Sequence, residues 1–339
     1  MTVCVMFCSK IFDESTGCKM STVAQSQTNI TSEQQYLGVL ERVLFSIVAS
    51  LPCCVFLFIN GSMLFTLRSR PVFCETSRYI LLYNLLFADT VQMVLSQLLF
   101  ILATVRVKLT YPVCGFLVML ASLTKDISPQ TLVVMSLERY VAVCYPLRHS
   151  TIITVRNTSV VITVIWAFSS LNILVRVVLL LDFPFEDLQS LEMKQVCNSL
   201  VMVLSPVSDH YDKAYNIFVF VSAFVAITSS YVGVTVAARS ASTDKSSSSK
   251  ARNTLLLHLV QLGFSLLSTV HNPLVLAVVK SVNRMIFVRI QTFLYVCLII
   301  LPKCLSALIY GLRDQTIRLY FMYHLCCRLK LSKPKVEPK

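Results

Sequence analysis

Seven apolar stretches, each long enough to cross a hydrocarbon layer as a helix, constrain this chain more than any other feature. They run approximately over Leu40–Leu67, Tyr79–Thr104, Gly115–Cys144, Ser159–Leu181, Ala214–Ala238, Thr254–Val279 and Val288–Leu312. A bilayer core about 30 Å thick needs roughly 20 apolar helical residues, whereas barrel strands read as segments of about ten residues with alternating polarity. These runs are too long and too evenly apolar for strands, so the spacing predicts an all-α membrane protein built as a bundle of seven transmembrane helices. Composition agrees where it bears on the point. Only 14% of the 339 residues are charged, against about 25% in a soluble domain, so most of the surface must face lipid. The formal charge of +13 does not indicate nucleic acid, because the basic residues are divided among the connecting loops instead of lining one wet face.

The loops set an expected orientation. One side collects 17 Lys and Arg, including Arg68, Arg139, Arg148, Arg239, Lys250 and seven in the tail, and the other collects nine. The positive-inside rule puts the richer side in the cytoplasm. Residues 1–36 are then extracellular, 37–312 form the bundle, and 313–339 form a cytoplasmic amphipathic helix and basic tail. The leader has no apolar core with a small-residue cleavage site, so the first span would serve as its own insertion signal; Met20 is an alternative start. The sequon at Asn29 falls on the outer side and is a candidate for glycosylation.

The third stretch carries the most specific motif. Cys114 opens it, Glu138-Arg139-Tyr140 closes it, and Pro146 follows seven residues after the arginine. Twenty-five positions separate Cys114 from Arg139, about 37 Å of helix, so one lies at each membrane face. Glu138 beside Arg139 would pair the guanidinium while the bundle is closed, and breaking that pair would act as a switch. This arrangement resembles the rhodopsin-like G-protein-coupled receptors, where an acidic-Arg-Tyr triplet ends the third helix and the exposed arginine contacts the G protein. The resemblance gives Glu138, Arg139 and Tyr140 that coupling role, with Tyr231 as the partner of the freed arginine and Tyr310 as the tyrosine of span seven. It also implies a disulfide between Cys114 and Cys197.

Further positions match the same family. Asn60, the string Leu85-Leu86-Phe87-Ala88-Asp89 and Trp166 look like signature residues of spans one, two and four. A carboxylate within a membrane is costly and functional by default; Asp89 with Asn60, Ser128 and Ser306 resembles the receptor sodium pocket, the alternative being a protonated Asp89 bonded to Asn60. The inner-end residues Ser230-Tyr231, Lys250-Ala251, Thr254 and His258-Leu259 are similar to those of odorant receptors, with Glu138 in place of the usual aspartate. Over roughly residues 36–330 the chain resembles a divergent, fish-type odorant receptor. Ser306-Ala307-Leu308-Ile309-Tyr310 departs from the usual Asn-Pro-x-x-Tyr, with Pro302 available for a displaced kink. His271-Asn272-Pro273 stands where a Trp is usual before the span-six proline.

Lys125 and Asp126, midway along span three, must pair or face a polar cavity. Two readings stay open: they line an odorant pocket with His271, Asn272 and Lys303, or they compensate each other against span five. A retinal linkage at Lys303 is disfavoured, since it lies seven residues before Tyr310 and an opsin lysine lies ten before its tyrosine. Cys326 and Cys327 after the amphipathic stretch are either palmitoylation sites or inert thiols.

The resemblance implies no cofactor beyond sodium at Asp89, and as partners a small waterborne odorant, a heterotrimeric G protein raising cyclic AMP, and the plasma-membrane bilayer. A non-olfactory receptor of the same class is the alternative. A transporter or channel would show internal repeats or Gly/Pro-broken half-helices. An enzyme would need a motif such as His-Glu-x-x-His, and the five histidines (His149, His210, His258, His271, His324) have no metal-ligand spacing.

Overall fold

The computed structural model describes residues 43–44, 46–105, 107–181, 197, 206–240, 249, 252–264 and 284–325. All of these that have regular structure are helical, apart from one bridge residue at Thr110. In chain order they form α1 (Ser46–Arg68), α2 (Pro71–Cys74), α3 (Ser77–Val105), α4 (Tyr111–Cys144), α5 (Pro146–Ile152), α6 (Val155–Leu181) and α7 (Pro206–Ser240). There follow α8 (252–264), α9 (Arg284–Leu294), a π-helical turn (Tyr295–Ile300), α10 (Leu301–Arg313) and α11 (Gln315–Leu325). Val48–Lys339 is one compact unit.

Among the described residues five helices are long and apolar enough to cross a membrane: α1, α3, α6, α7 and the continuous run from α9 to α10. The third predicted span exists as the 34-residue α4, about 51 Å long. Lys125, Asp126, Gln130, Glu138 and Arg139 dilute its apolarity, and its polar side chains turn inward: Asp126, Ser128, Thr131, Ser136 and Glu138 are all buried. The fifth span begins at Pro206, eight residues before the expected Ala214. An i,i+4 ion pair between Asp209 and Lys213 at 2.5 Å lets that polar turn continue as helix.

Lipid, not water, is the solvent, so the helix faces are inverted. On α6 the residues turned inward are Thr158, Ile165, Ser169 and Asn172, while Val160, Val164, Leu171, Leu174 and Val178 are exposed. Small and polar residues bring backbones close and bond across helices, whereas aliphatics cost nothing against acyl chains. α4 is the hub, packed on α3, α6 and α7. The main core lies toward the Arg139 end and joins Met63, Leu82, Leu86, Leu132, Met135, Ile227, Leu262, Tyr310 and Phe321.

The amphipathic helix predicted after span seven is α11, with Ile317, Tyr320 and Phe321 buried and Thr316 and Arg318 exposed. Asp314 starts it: Oδ1 accepts the backbone N–H of Thr316 at 3.0 Å and of Ile317 at 3.3 Å, an N-cap that satisfies free helix-end donors. Its other oxygen pairs with Arg78 at 3.3 Å and accepts the Tyr79 hydroxyl at 3.3 Å, so α11 is fastened to the start of α3. Gly311 permits the approach, since a Cβ there would lie 2.8 Å from the ring of fully buried Phe321.

Candidate functional site

Three clusters along α4 hold the side chains that carry chemistry. At the Arg139 end, the Arg139 Nε lies 3.2 Å from Glu138 Oε2, with Glu138 buried and Arg139 largely so. His149 of α5 approaches the other carboxylate oxygen at 3.8 Å, beyond hydrogen-bond reach. Tyr140 meets Tyr145 edge-on, and its ring lies against Gly233 of α7, where an added Cβ would overlap it. Tyr231 shares an apolar cluster with Tyr140, Val234 and Leu255, so α4, α7 and α8 meet around the motif. Tyr310 is buried and its hydroxyl lies 2.5 Å from His258 Nε2, tying α10 to α8. The triplet, Tyr231 and Tyr310 thus gather at one end of the bundle.

Midway along the bundle, Asp89 Oδ1 accepts the Ser128 hydroxyl at 2.5 Å and the Lys303 ammonium at 2.8 Å. Lys303 Nζ also donates to Ser128 Oγ at 3.3 Å, while Asn60 Nδ2 donates to the Lys303 carbonyl oxygen at 3.4 Å. Lys303, expected among the ligand-pocket residues, therefore lies with Asp89 and Ser128. These residues do not fit a sodium ion, because the carboxylate oxygen it would take is already held by a buried ammonium. Beside them, Trp166 Nε1 donates to Asn84 Oδ1 at 2.9 Å, and Asn84 Nδ2 donates to Thr131 Oγ1 at 3.0 Å, linking α3, α4 and α6.

Nearer Cys114, Lys125 and Asp126 turn to different neighbours. Lys125 Nζ reaches Asn216 Oδ1 of α7 at 3.5 Å, and Asp126 Oδ2 accepts Asn172 Nδ2 of α6 at 2.7 Å. Adjacent helical residues point about 100° apart, and among the described residues no ion pair joins the two. Asn172 Oδ1 accepts the Tyr211 hydroxyl at 2.9 Å. Arg176 lies 3.2 Å from Asp212 and over the Tyr215 ring at 5.7 Å; its Nη2 and the Tyr215 hydroxyl are buried without a hydrogen-bond partner among the described residues. Reading the sequence missed Asn172, Tyr211, Asp212, Tyr215 and Asn216. Arg176, alone among the apolar residues of span four, was the available signal.

At the far end Cys114 and Cys197 form a disulfide with Cα atoms 5.7 Å apart. His271, Asn272, Asn29, Cys326 and Cys327 lie outside the described residues, as does the side chain of Ser306.

An α-helical membrane bundle with a paired acidic-Arg-Tyr triplet at one end of its central helix and a disulfide at the other is the architecture of one receptor class. The chain belongs to the rhodopsin family of 7 transmembrane receptors, whose description matches residues 65–310. Odorant receptor 131-2 of Danio rerio is 30% identical over 280 residues, covering 82% of this chain and 85% of the relative. Olfactory receptor-like protein OLF4 of Canis lupus familiaris is 30% identical over 130 residues, 38% of this chain and 42% of its own. Olfactory receptor 2A7 of Mus musculus is 48% identical over 54 residues, 16% and 17% of the two chains. The protein is accordingly a multi-pass membrane receptor of the olfactory type, not an enzyme.

Proposed function

We propose that this protein is an odorant receptor of the plasma membrane that binds a small waterborne odorant in the Cys114-side half and activates a heterotrimeric G protein, raising cyclic AMP. Its amino terminus is extracellular and its tail cytoplasmic, as the distribution of basic residues favours. The observation that carries the reading is the Glu138–Arg139 pair at 3.2 Å, at the foot of the helix that also holds the polar cluster around Asp126. In this reading the odorant favours a state in which the inner ends of α7 and α8 move outward. Arg139 then leaves Glu138 for Tyr231 and the G protein, and the His258–Tyr310 bond opens.

Lys125, Asp126, Arg176 and Asp212 offer two positive and two negative groups within one half of the bundle. Such a lining suits polar, charged or zwitterionic molecules carried in water better than apolar ones. A shift from mostly closed to mostly open takes a ligand that binds the open state up to about 10⁴-fold more tightly, and direct ionic contacts are strong enough to supply it.

The test expresses the full chain with a cyclic AMP reporter and screens odorants that include amino acids, amines, organic acids and apolar esters. Arg139→Ala, checked for surface expression, should abolish the response; a response that survives would sink the coupling mechanism. If Lys125→Met and Asp126→Asn both leave every odorant response unchanged, the pocket assignment fails while the receptor reading stands.

A further inference from the structure

Lys303 is a cation inside a membrane bundle, and neither coupling nor the Cys114-side cluster uses it. Its side chain is 6% exposed and that of Asp89 4%, so the pair is dry. The ammonium donates to Asp89 Oδ1 at 2.8 Å and to Ser128 Oγ at 3.3 Å, and the Ser128 hydroxyl donates to the same carboxylate oxygen at 2.5 Å. The three groups close a ring in which the serine is donor to one partner and acceptor from the other. Residue 303 is held at its backbone as well, since Asn60 of α1 donates to its carbonyl oxygen at 3.4 Å. One lysine thereby joins α1, α3, α4 and α10.

The local fold explains how the lysine comes to face inward. Pro302 has no N–H to give and its ring would crowd the carbonyl four residues back. The preceding turn, Tyr295–Ile300, is π-helical, and such a turn holds one residue more than an α-turn. Everything after it is rotated by about one residue step, roughly 100°, relative to the face set by α9. Lys303 lies just beyond that rotation.

We infer that Lys303 is a built-in cation: its ammonium takes the position on Asp89 and Ser128 that a free monovalent cation would take, and so makes the bundle insensitive to sodium. The carboxylate is already neutralised by a charge tethered to the backbone. A second cation at the same oxygen would bring two like charges within a few ångströms of each other in a medium of low dielectric constant, where repulsion is strong. A free ion can depart when helices separate, but the lysine cannot; separating α10 from α3 and α4 must instead pull the ammonium from the carboxylate. The cation that elsewhere would be a soluble effector is here a mechanical tie.

The experiment needs no odorant, so its outcome is independent of the function proposed above. The full-length receptor, purified into nanodiscs, is melted in about 150 mM NaCl and in choline chloride of the same ionic strength. The wild-type Tm should differ by less than about 1 °C between the two salts. Lys303→Ser vacates the ammonium and leaves a hydroxyl, and should gain a sodium-specific rise of roughly 3–5 °C, absent from Asp89→Asn/Lys303→Ser. A wild-type receptor that shows the same rise overturns the inference, and so does a Lys303→Ser receptor as indifferent to sodium as wild type. Should Lys303→Ser fail to fold, Asp89→Asn is compared with Asp89→Asn/Lys303→Met. The single variant strands a buried ammonium, and the double removes both charges and should melt several degrees higher. A double variant no more stable than the single overturns the pairing.

Discussion

Replacing Asn84 by alanine tests how much the bundle gains from an amide side chain that links three helices. Asn84 is buried and makes two bonds, accepting Trp166 Nε1–H at 2.9 Å and donating to Thr131 Oγ1 at 3.0 Å. The two losses are unequal. Thr131 still donates to the Ile127 carbonyl at 2.8 Å, so it loses only an incoming donor. Trp166 has an indole N–H with no second role, and its loss leaves a donor unpaired in hydrocarbon. Interhelical hydrogen bonds in membranes average about 0.6 kcal/mol with a maximum near 1.7, and a stranded buried donor costs about 1–3 kcal/mol. Asn84→Ala should therefore cost about 2 kcal/mol, or roughly 3 °C in Tm for a chain of 339 residues. Trp166→Phe, which strands only the carbonyl of Asn84, should cost about 1 kcal/mol. Trp166 is the single tryptophan of the chain, so the emission comes from this site alone and should move to shorter wavelength in Asn84→Ala. Melting followed by circular dichroism on both single variants and the double completes a thermodynamic cycle. Coupling of about 0.6–1.7 kcal/mol is expected; strictly additive losses would refute the claim that this bond holds α3 to α6.

Two further outcomes are expected. Cys114→Ser or Cys197→Ser opens a cross-link spanning 83 residues, and should lower stability by about 2–5 kcal/mol, read as lost surface expression and a Tm that no longer responds to reductant. Asp314→Ala removes the cap of α11 together with its ties to Arg78 and Tyr79. It should cost about 1–2 kcal/mol, with hydrogen exchange accelerated in Gln315–Leu325 and unchanged in α4.

Much of this architecture was legible before any coordinates. Runs of roughly 20 apolar residues are read directly as spans because the backbone must satisfy its own polar groups in lipid. The Glu138–Arg139 pair was legible because the two are neighbours in the chain, so their pairing needs no knowledge of the fold. Lys125 and Asp126 were visible as costly intramembrane charges, but their partners Asn216 and Asn172 were not. Spans four and five each hold a single asparagine, Asn172 and Asn216, and nothing in the chain says which charge of α4 each one will meet.

The residues alone thus determined that the chain crosses a membrane as helices and carries a paired acidic-Arg-Tyr triplet at the end of the third. Tertiary structure decided who meets whom: Asp89 with Lys303, 214 positions apart, Asn84 with Trp166, and Tyr310 with His258. In lipid the small and polar residues mark the inner face of a helix, but which neighbour each of them meets is set by packing. The π-helical turn before Pro302 changes the rotation of the helix within a single span, and Lys303, just beyond it, meets the carboxylate of Asp89.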